Sequence, residues 1–204
     1  MDNFYQRLPV QVQTHAVTTS NISVFFPYLL LYHPSTQQKL NNVIHQKVNS
    51  LFQELNDMGY YEPGVTELIG NYEIKNNQQG IVSFTFSLFA NKPGLAHPVE
   101  LMNSLTANVN TGEVYQLHEL FKPGSNANER INTLIEAQIK ERQIPVLEEF
   151  PGISANQKFY VADQVLVVYF DKYEITPGYV GFPTFPIPIY QLEDLLREDN
   201  PFSI

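Results

Sequence analysis

Cysteine and tryptophan are both absent from the 204 residues. Without cysteine the chain has no disulfide, no thiolate nucleophile and no cysteine-ligated zinc. Positive charge is scarce. Twelve lysines and arginines face 21 acidic residues, a formal net charge of −9, and no basic cluster occurs anywhere. Nucleic acid is bound by cations that displace phosphate counterions, so that class is excluded. Anionic membrane surfaces are disfavoured for the same reason, and a cationic partner is the electrostatically easy one. Long apolar runs are missing too. The longest, Val24 to Tyr32, is broken by Pro27 and falls well short of the roughly 20 residues that a membrane helix needs. The first fifteen residues, MDNFYQRLPVQVQTH, show no basic segment followed by an apolar one, so no signal peptide is readable. The default expectation is a cytoplasmic or non-classically exported chain.

What is present favours strands. Tyr and Phe number 12 and 14, and apolar residues reach 43%, enough for a sizeable core. QVQTHAV and NISVFFPYLLLY read as strands, with Pro27 at an edge or bulge. From Ser35 to Gly59 apolar residues recur at steps of three and four (Leu40, Val43, Ile44, Val48, Leu51, Phe52, Leu55, Met58), which predicts a helix. Ser35 with Gln38 suggests its capping box and Gly59 its stop. A hairpin is expected about NNQQG. In its second arm Val82, Phe84, Phe86 and Leu88 face the core, with Ser83, Thr85 and Ser87 on the solvent side. A second helix is expected after Asn126, with Ile131, Leu134, Ile135 and Ile139 as its stripe. A hairpin follows around Asp163 and Gln164, then a short C-terminal helix burying Leu192, Leu195 and Leu196. The strands cluster in antiparallel-looking pairs with helices between the groups. The fold class is α+β, antiparallel sheet with helices packed on one face, in two small subdomains sharing a core: residues 8–95 and 96–204.

No motif for metal, phosphate or nucleophile chemistry is readable, and no cofactor is implied. Five histidines show no ligand spacing, and Glu148–Glu149 and Glu193–Asp194 read as solvated faces. His97, in the proline- and glycine-bounded GLAHP loop, either rests on backbone hydrogen bonds or faces a ligand. The densest feature is YFDKYEITPGYVGFPTFPIPIY, Tyr169 to Tyr190. Each proline fixes φ and removes a donor, so FPTFPIPI is expected as an edge strand or polyproline-like crossing. Phe182, Phe185, Ile187 and Ile189 are placed to plug the open end of a sheet, while Tyr173 and Tyr179 line a groove.

Those residues carry a resemblance. Residues 159–196 resemble the C-terminal domain of RsiV-like and PdaC-like bacterial proteins. Tyr173, Glu174, Ile175, Pro177, Gly181, Ile187, Pro188 and Leu192 fall on its pattern. Thr176 stands for its small residue, and Gly178 is inserted before Tyr179. Upstream, Pro27, Asn41 or Asn42, AHP and TGEVYQLHELF resemble the deacetylase-associated N-terminal domain, so the likeness runs over roughly residues 20 to 196. It implies an α+β fold, a place outside the membrane and no catalytic residue. RsiV-like members sense lysozyme, and PdaC-like members accompany a separate deacetylase domain. Nothing in these 204 residues resembles that enzyme domain, a transmembrane anchor or a sigma-factor-binding segment.

The expectation is a non-enzymatic binding module. It would take a cationic protein such as lysozyme, or a cell-envelope glycan such as a peptidoglycan fragment, at His97, Tyr173, Glu174, Tyr179, Phe182 and Phe185, in a groove between the AHP loop and the 173–185 loop. Two alternatives come from other classes. One is a bacterial coat or assembly protein, which would self-associate. The other is a small hydrolase, which needs a carboxylate within reach of His97.

Overall fold

The apolar stripe from Leu40 to Leu55 builds the long helix α1, Pro34–Asp57. The structure, a computed structural model, describes residues 9–202; the start of the N-terminal stretch read for a leader lies outside them. Two compact units are present, Met1–Val114 and Tyr115–Ile204.

The first unit is a five-stranded sheet: β1 (Gln11–Thr18), β2 (Ile22–Leu30), β3 (Glu67–Gln78), β4 (Ile81–Asn91) and β5 (Val99–Asn108), in that spatial order. α1 packs across β2, β4 and β5. Its Leu40, Ile44, Leu51 and Leu55 close over Val82, Phe84, Phe86 and Leu88 in one buried cluster. Met58, expected on the stripe, is exposed. The capping box at Ser35 does not form. His33 is the N-cap and Pro34 opens the helix, where its missing N–H costs nothing.

All strand pairs are antiparallel except one. β2 leads through α1 into β3 and pairs parallel to it at Ile22–Leu68, Ser23–Ile69 and Val24–Gly70. Gly70 is required there: a Cβ would stand 2.7 Å from Val24 Cγ1 and 3.2 Å from Leu88 Cδ1. Beyond Val24 the ladder to β3 stops, and Pro27 falls in this half-paired stretch, opposite Thr14 of β1. A side chain replaces the missing strand. The buried amide of Asn41 accepts from Leu29 N–H at 2.8 Å and donates to Leu29 C=O at 3.0 Å. Asn77 repeats the device on Val10, with both bonds at 2.9 Å. Two asparagines thus complete the backbone bonding at the open end of the β1–β2 hairpin.

The β3–β4 turn is Gln79–Gly80, both at positive φ, a two-residue turn that matches strand twist. β4 departs from expectation on its polar face. Ser83 and Thr85 are buried, and Ser83 Oγ lies 2.9 Å from Thr106 Oγ1, so hydroxyls pair where solvent was expected. β5 pairs with β4 along nearly its whole length. The first compact unit therefore runs to Val114.

The second unit holds helix α2 (Ala127–Glu141) and a three-stranded antiparallel sheet, β6 (Phe159–Ala162), β7 (Val165–Tyr169) and β8 (Thr184–Pro188), with β7 central. The β6–β7 hairpin turns at Asp163–Gln164. β8 is the proline-rich stretch, and it is an edge strand. Its outward carbonyls go to α2: Gln138 Nε2 donates to Pro186 C=O at 2.9 Å and Arg142 Nη1 to Thr184 C=O at 2.8 Å. Pro186 and Pro188 alternate with Phe185 and Ile187, which are fully buried. The C-terminal α-helix is not formed. Two 3-10 turns, Ile189–Gln191 and Glu193–Leu195, stand in its place. The backbone there is drawn into pairing with residues 120–122, through Lys122 N–H to Leu195 C=O at 2.9 Å and Arg197 N–H to Leu120 C=O at 3.0 Å. Leu192, Leu195 and Leu196 are buried as expected.

Replacing Asn41 by alanine leaves Leu29 N–H and C=O unpaired in a buried place. The expected loss is about 1–3 kcal/mol, read from the urea midpoint. A loss under about 0.5 kcal/mol would show that the amide bonding is dispensable.

Candidate binding surface

Two segments of the second unit meet along one line. The first leaves α2 at Arg142, turns at Gln143 (φ 51°) and runs through Pro145 to Gly152. The second, residues 171–183, links β7 to β8. Leu147 N–H donates to Ile175 C=O at 3.0 Å, which joins them. Rings anchor both from below. Phe150 meets Phe170 edge-to-face at 5.8 Å, and Phe170 meets Phe185 in the same way at 5.7 Å. At the far end of the first segment, Asn132 Oδ1 accepts from Ile153 N–H at 2.9 Å.

The 171–183 loop is tightly held. Lys158 Nζ bonds both oxygens of Asp171, at 2.8 and 2.6 Å. Glu174 Oε2 accepts from Asp171 N–H at 2.7 Å, and Glu174 N–H returns to Asp171 C=O at 3.2 Å. Between them Tyr173 takes φ 67°, a left-handed conformation uncommon for a side-chain-bearing residue. Its ring lies over Gly178, where a Cβ would collide with Cζ and Oη. Lys172 Nζ sits 5.1 Å from the centre of the Phe182 ring. Every described proline is trans.

A cavity of about 330 Å³ opens where the segments meet. Leu147, Glu148, Glu149 and Pro151 line it from the first segment, and Tyr173, Glu174 and Ile175 from the second. Leu147 is 53% exposed and Tyr173 63%, so apolar and aromatic surface faces water beside three carboxylates. One of these, Glu174, is partly engaged by the loop backbone. Among the described residues no group of three or more His, Asp or Glu side chains is arranged to hold a metal ion. The cavity can take a positive, partly apolar group.

The residues singled out from the sequence divide as follows. Tyr173 and Glu174 share the cavity wall. Tyr179 stands 83% exposed on the same loop. Phe182 is half-buried beneath Lys172. Phe185 is fully buried in the ring stack and belongs to the core. His97 lies in the first unit, exposed, with Nδ1 3.0 Å from Pro98 C=O, and its own carbonyl accepts from Tyr60 Oη at 3.3 Å. No described carboxylate forms an ion pair with it. Glu148 and Glu149 were read as solvated; they are exposed, but on the cavity wall. Nothing in the local sequence marks them, because the Leu147–Ile175 bond spans 28 residues.

Gly178 has ordinary φ, and the ring above it is the free end of an exposed side chain. Gly178→Ala is therefore expected to change stability by no more than about 0.5 kcal/mol. It should nevertheless shift the ring proton resonances of Tyr173. Unchanged ring resonances would mean that Tyr173 does not rest on Gly178.

Residues 118–190 match the family described as "Protein of unknown function (DUF3298)". The anti-sigma-V factor RsiV of Bacillus subtilis (strain 168) is 44% identical over 50 residues, which are 24% of this chain and 18% of that protein. The match thus spans less than a fifth of RsiV. A crystal structure of a DUF3298 family protein from Pseudomonas aeruginosa PAO1 superposes with TM-score 0.70 at 14% identity, covering 94% of this chain and 96% of that one. A family member from Bacteroides fragilis NCTC 9343 gives 0.64 at 13% identity, covering 96% of each. At these identities the structural likeness is one of fold. A DUF3298 domain lies within the second unit, and part of the chain is similar to RsiV.

Proposed function

We propose that this chain is a non-enzymatic binding module that recognises a cationic protein through its second unit, with lysozyme as the first partner to test. The observation that carries the reading is the cavity wall: Tyr173 exposed over Glu148, Glu149 and Glu174 in a chain of net charge −9. Exposed tyrosines on an ordered loop supply contact area at low entropic cost. Acidic groups beside them attract and orient a basic surface. The RsiV-like domain supports the choice of partner, because RsiV-like proteins sense lysozyme. Among the described residues no helix is long and apolar enough to cross a membrane.

The hydrolase alternative finds no support at His97, whose exposed ring meets a backbone carbonyl and, among the described residues, no acid in an ion pair. The surface proposed uses the second unit alone, with Tyr173, Glu174, Tyr179 and Phe182 as its contact residues.

Biolayer interferometry against hen lysozyme and soluble peptidoglycan fragments, at two salt concentrations, tests the reading. Lysozyme binding that weakens with salt is expected. Tyr173→Ala and Tyr179→Ala should each weaken it by about tenfold or more, the scale of a buried aromatic anchor. Unperturbed binding in both variants would remove the site. Salt-insensitive binding to glycan alone would replace the cationic partner with a sugar.

A further inference from the structure

We propose that the cavity between residues 147–151 and 173–175 is a receptor for a single arginine side chain presented by the basic partner. This rests on the reading of the second unit as a binder of a cationic protein, and it names the group that the cavity takes. Three features select the occupant. The volume, about 330 Å³, accommodates one long side chain rather than a helix or a strand. The wall is of two kinds, Leu147, Pro151 and Ile175 on one hand and Glu148, Glu149 and Glu174 on the other. An arginine side chain has the same division, an apolar stem and a charged head. The third feature is the exposed Tyr173 ring, which lies over Gly178. A planar guanidinium stacks on such a ring and offers paired donors to carboxylates, whereas lysine brings only a point charge. Glu174 already accepts a backbone N–H with Oε2, which fixes its carboxylate in the wall. Glu148 and Glu149 stand exposed beside it and supply the charge.

The test uses the whole chain, labelled with nitrogen-15, titrated with the capped tripeptide Gly-Arg-Gly and with its citrulline counterpart, which keeps the shape and loses the charge. The arginine peptide should shift the amide resonances of Leu147, Glu148, Glu149, Tyr173 and Glu174, with binding in the millimolar range. The citrulline peptide should bind about tenfold more weakly or not at all. The double variant Glu148→Gln/Glu149→Gln should lose about tenfold, while Glu136→Gln/Glu141→Gln, which removes equal charge from exposed positions of α2, should change little. Absent shifts, equal shifts from citrulline, or equal losses in the two double variants would each overturn the proposal. The two readings fail separately. Lysozyme binding that survives Glu148→Gln/Glu149→Gln removes the arginine receptor and keeps the binding module. Arginine-specific shifts without lysozyme binding keep the receptor and remove lysozyme as its partner.

Discussion

Proline has no amide hydrogen to give a neighbouring strand, and the second unit is arranged around that constraint. In β8 the residues facing β7 are Phe185 and Ile187. The prolines, at 186 and 188, alternate with them, where no donor is needed. What remains on the outer side is a row of acceptors, and α2 supplies donors to them from Gln138 and Arg142. These bonds occupy the acceptors that a further strand would need. The same alternation drives Phe185 under Phe170 and Phe170 under Phe150, so one proline-set strand fixes the floor beneath both segments of the proposed binding surface.

With the floor fixed, the loop above it is shaped by short-range bonding. Asp171 is held by Lys158, Glu174 returns to Asp171, and Tyr173 is left between them in the left-handed region with its ring over Gly178. The consequence is an aromatic ring exposed to solvent on a cavity whose lining also holds Glu148, Glu149 and Glu174. Binding to such a surface loses little conformational entropy. The acidity of the chain, which by itself only favours solubility, acquires a location.

Much of the fold was legible because it rests on periodicity. The α1 stripe, the hairpins about Gln79–Gly80 and Asp163–Gln164, and the edge placement of the proline run all follow from residues a few positions apart. The failures come from longer range. The parallel β2–β3 pair depends on Gly70 meeting Val24 and Leu88, which no local pattern announces. Asn41 and Asn77 look like surface polar residues, yet they complete backbone ladders. The C-terminal stripe of leucines is helical in spacing, but its backbone is claimed by residues 120–122 and settles for 3-10 turns. For the site, the rings and Glu174 were visible because they are concentrated in one stretch. Phe185 was legible as a plug of the sheet and also as a contact residue, and its complete burial fits the first of these. Glu148 and Glu149 are exposed, as a solvated pair should be, but their place on the cavity wall is not legible because the facing residues lie 25 or so positions away in sequence.

We propose that one preordered surface, formed by residues 145–151 and 171–182, receives the basic partner. Hydrogen–deuterium exchange of the chain with and without hen lysozyme tests it most directly. Slowed exchange is expected in those two segments alone, with little change in β7 and β8, which are already protected by the sheet. Protection that falls instead on the His97 loop, or on neither segment while lysozyme is bound, would contradict it.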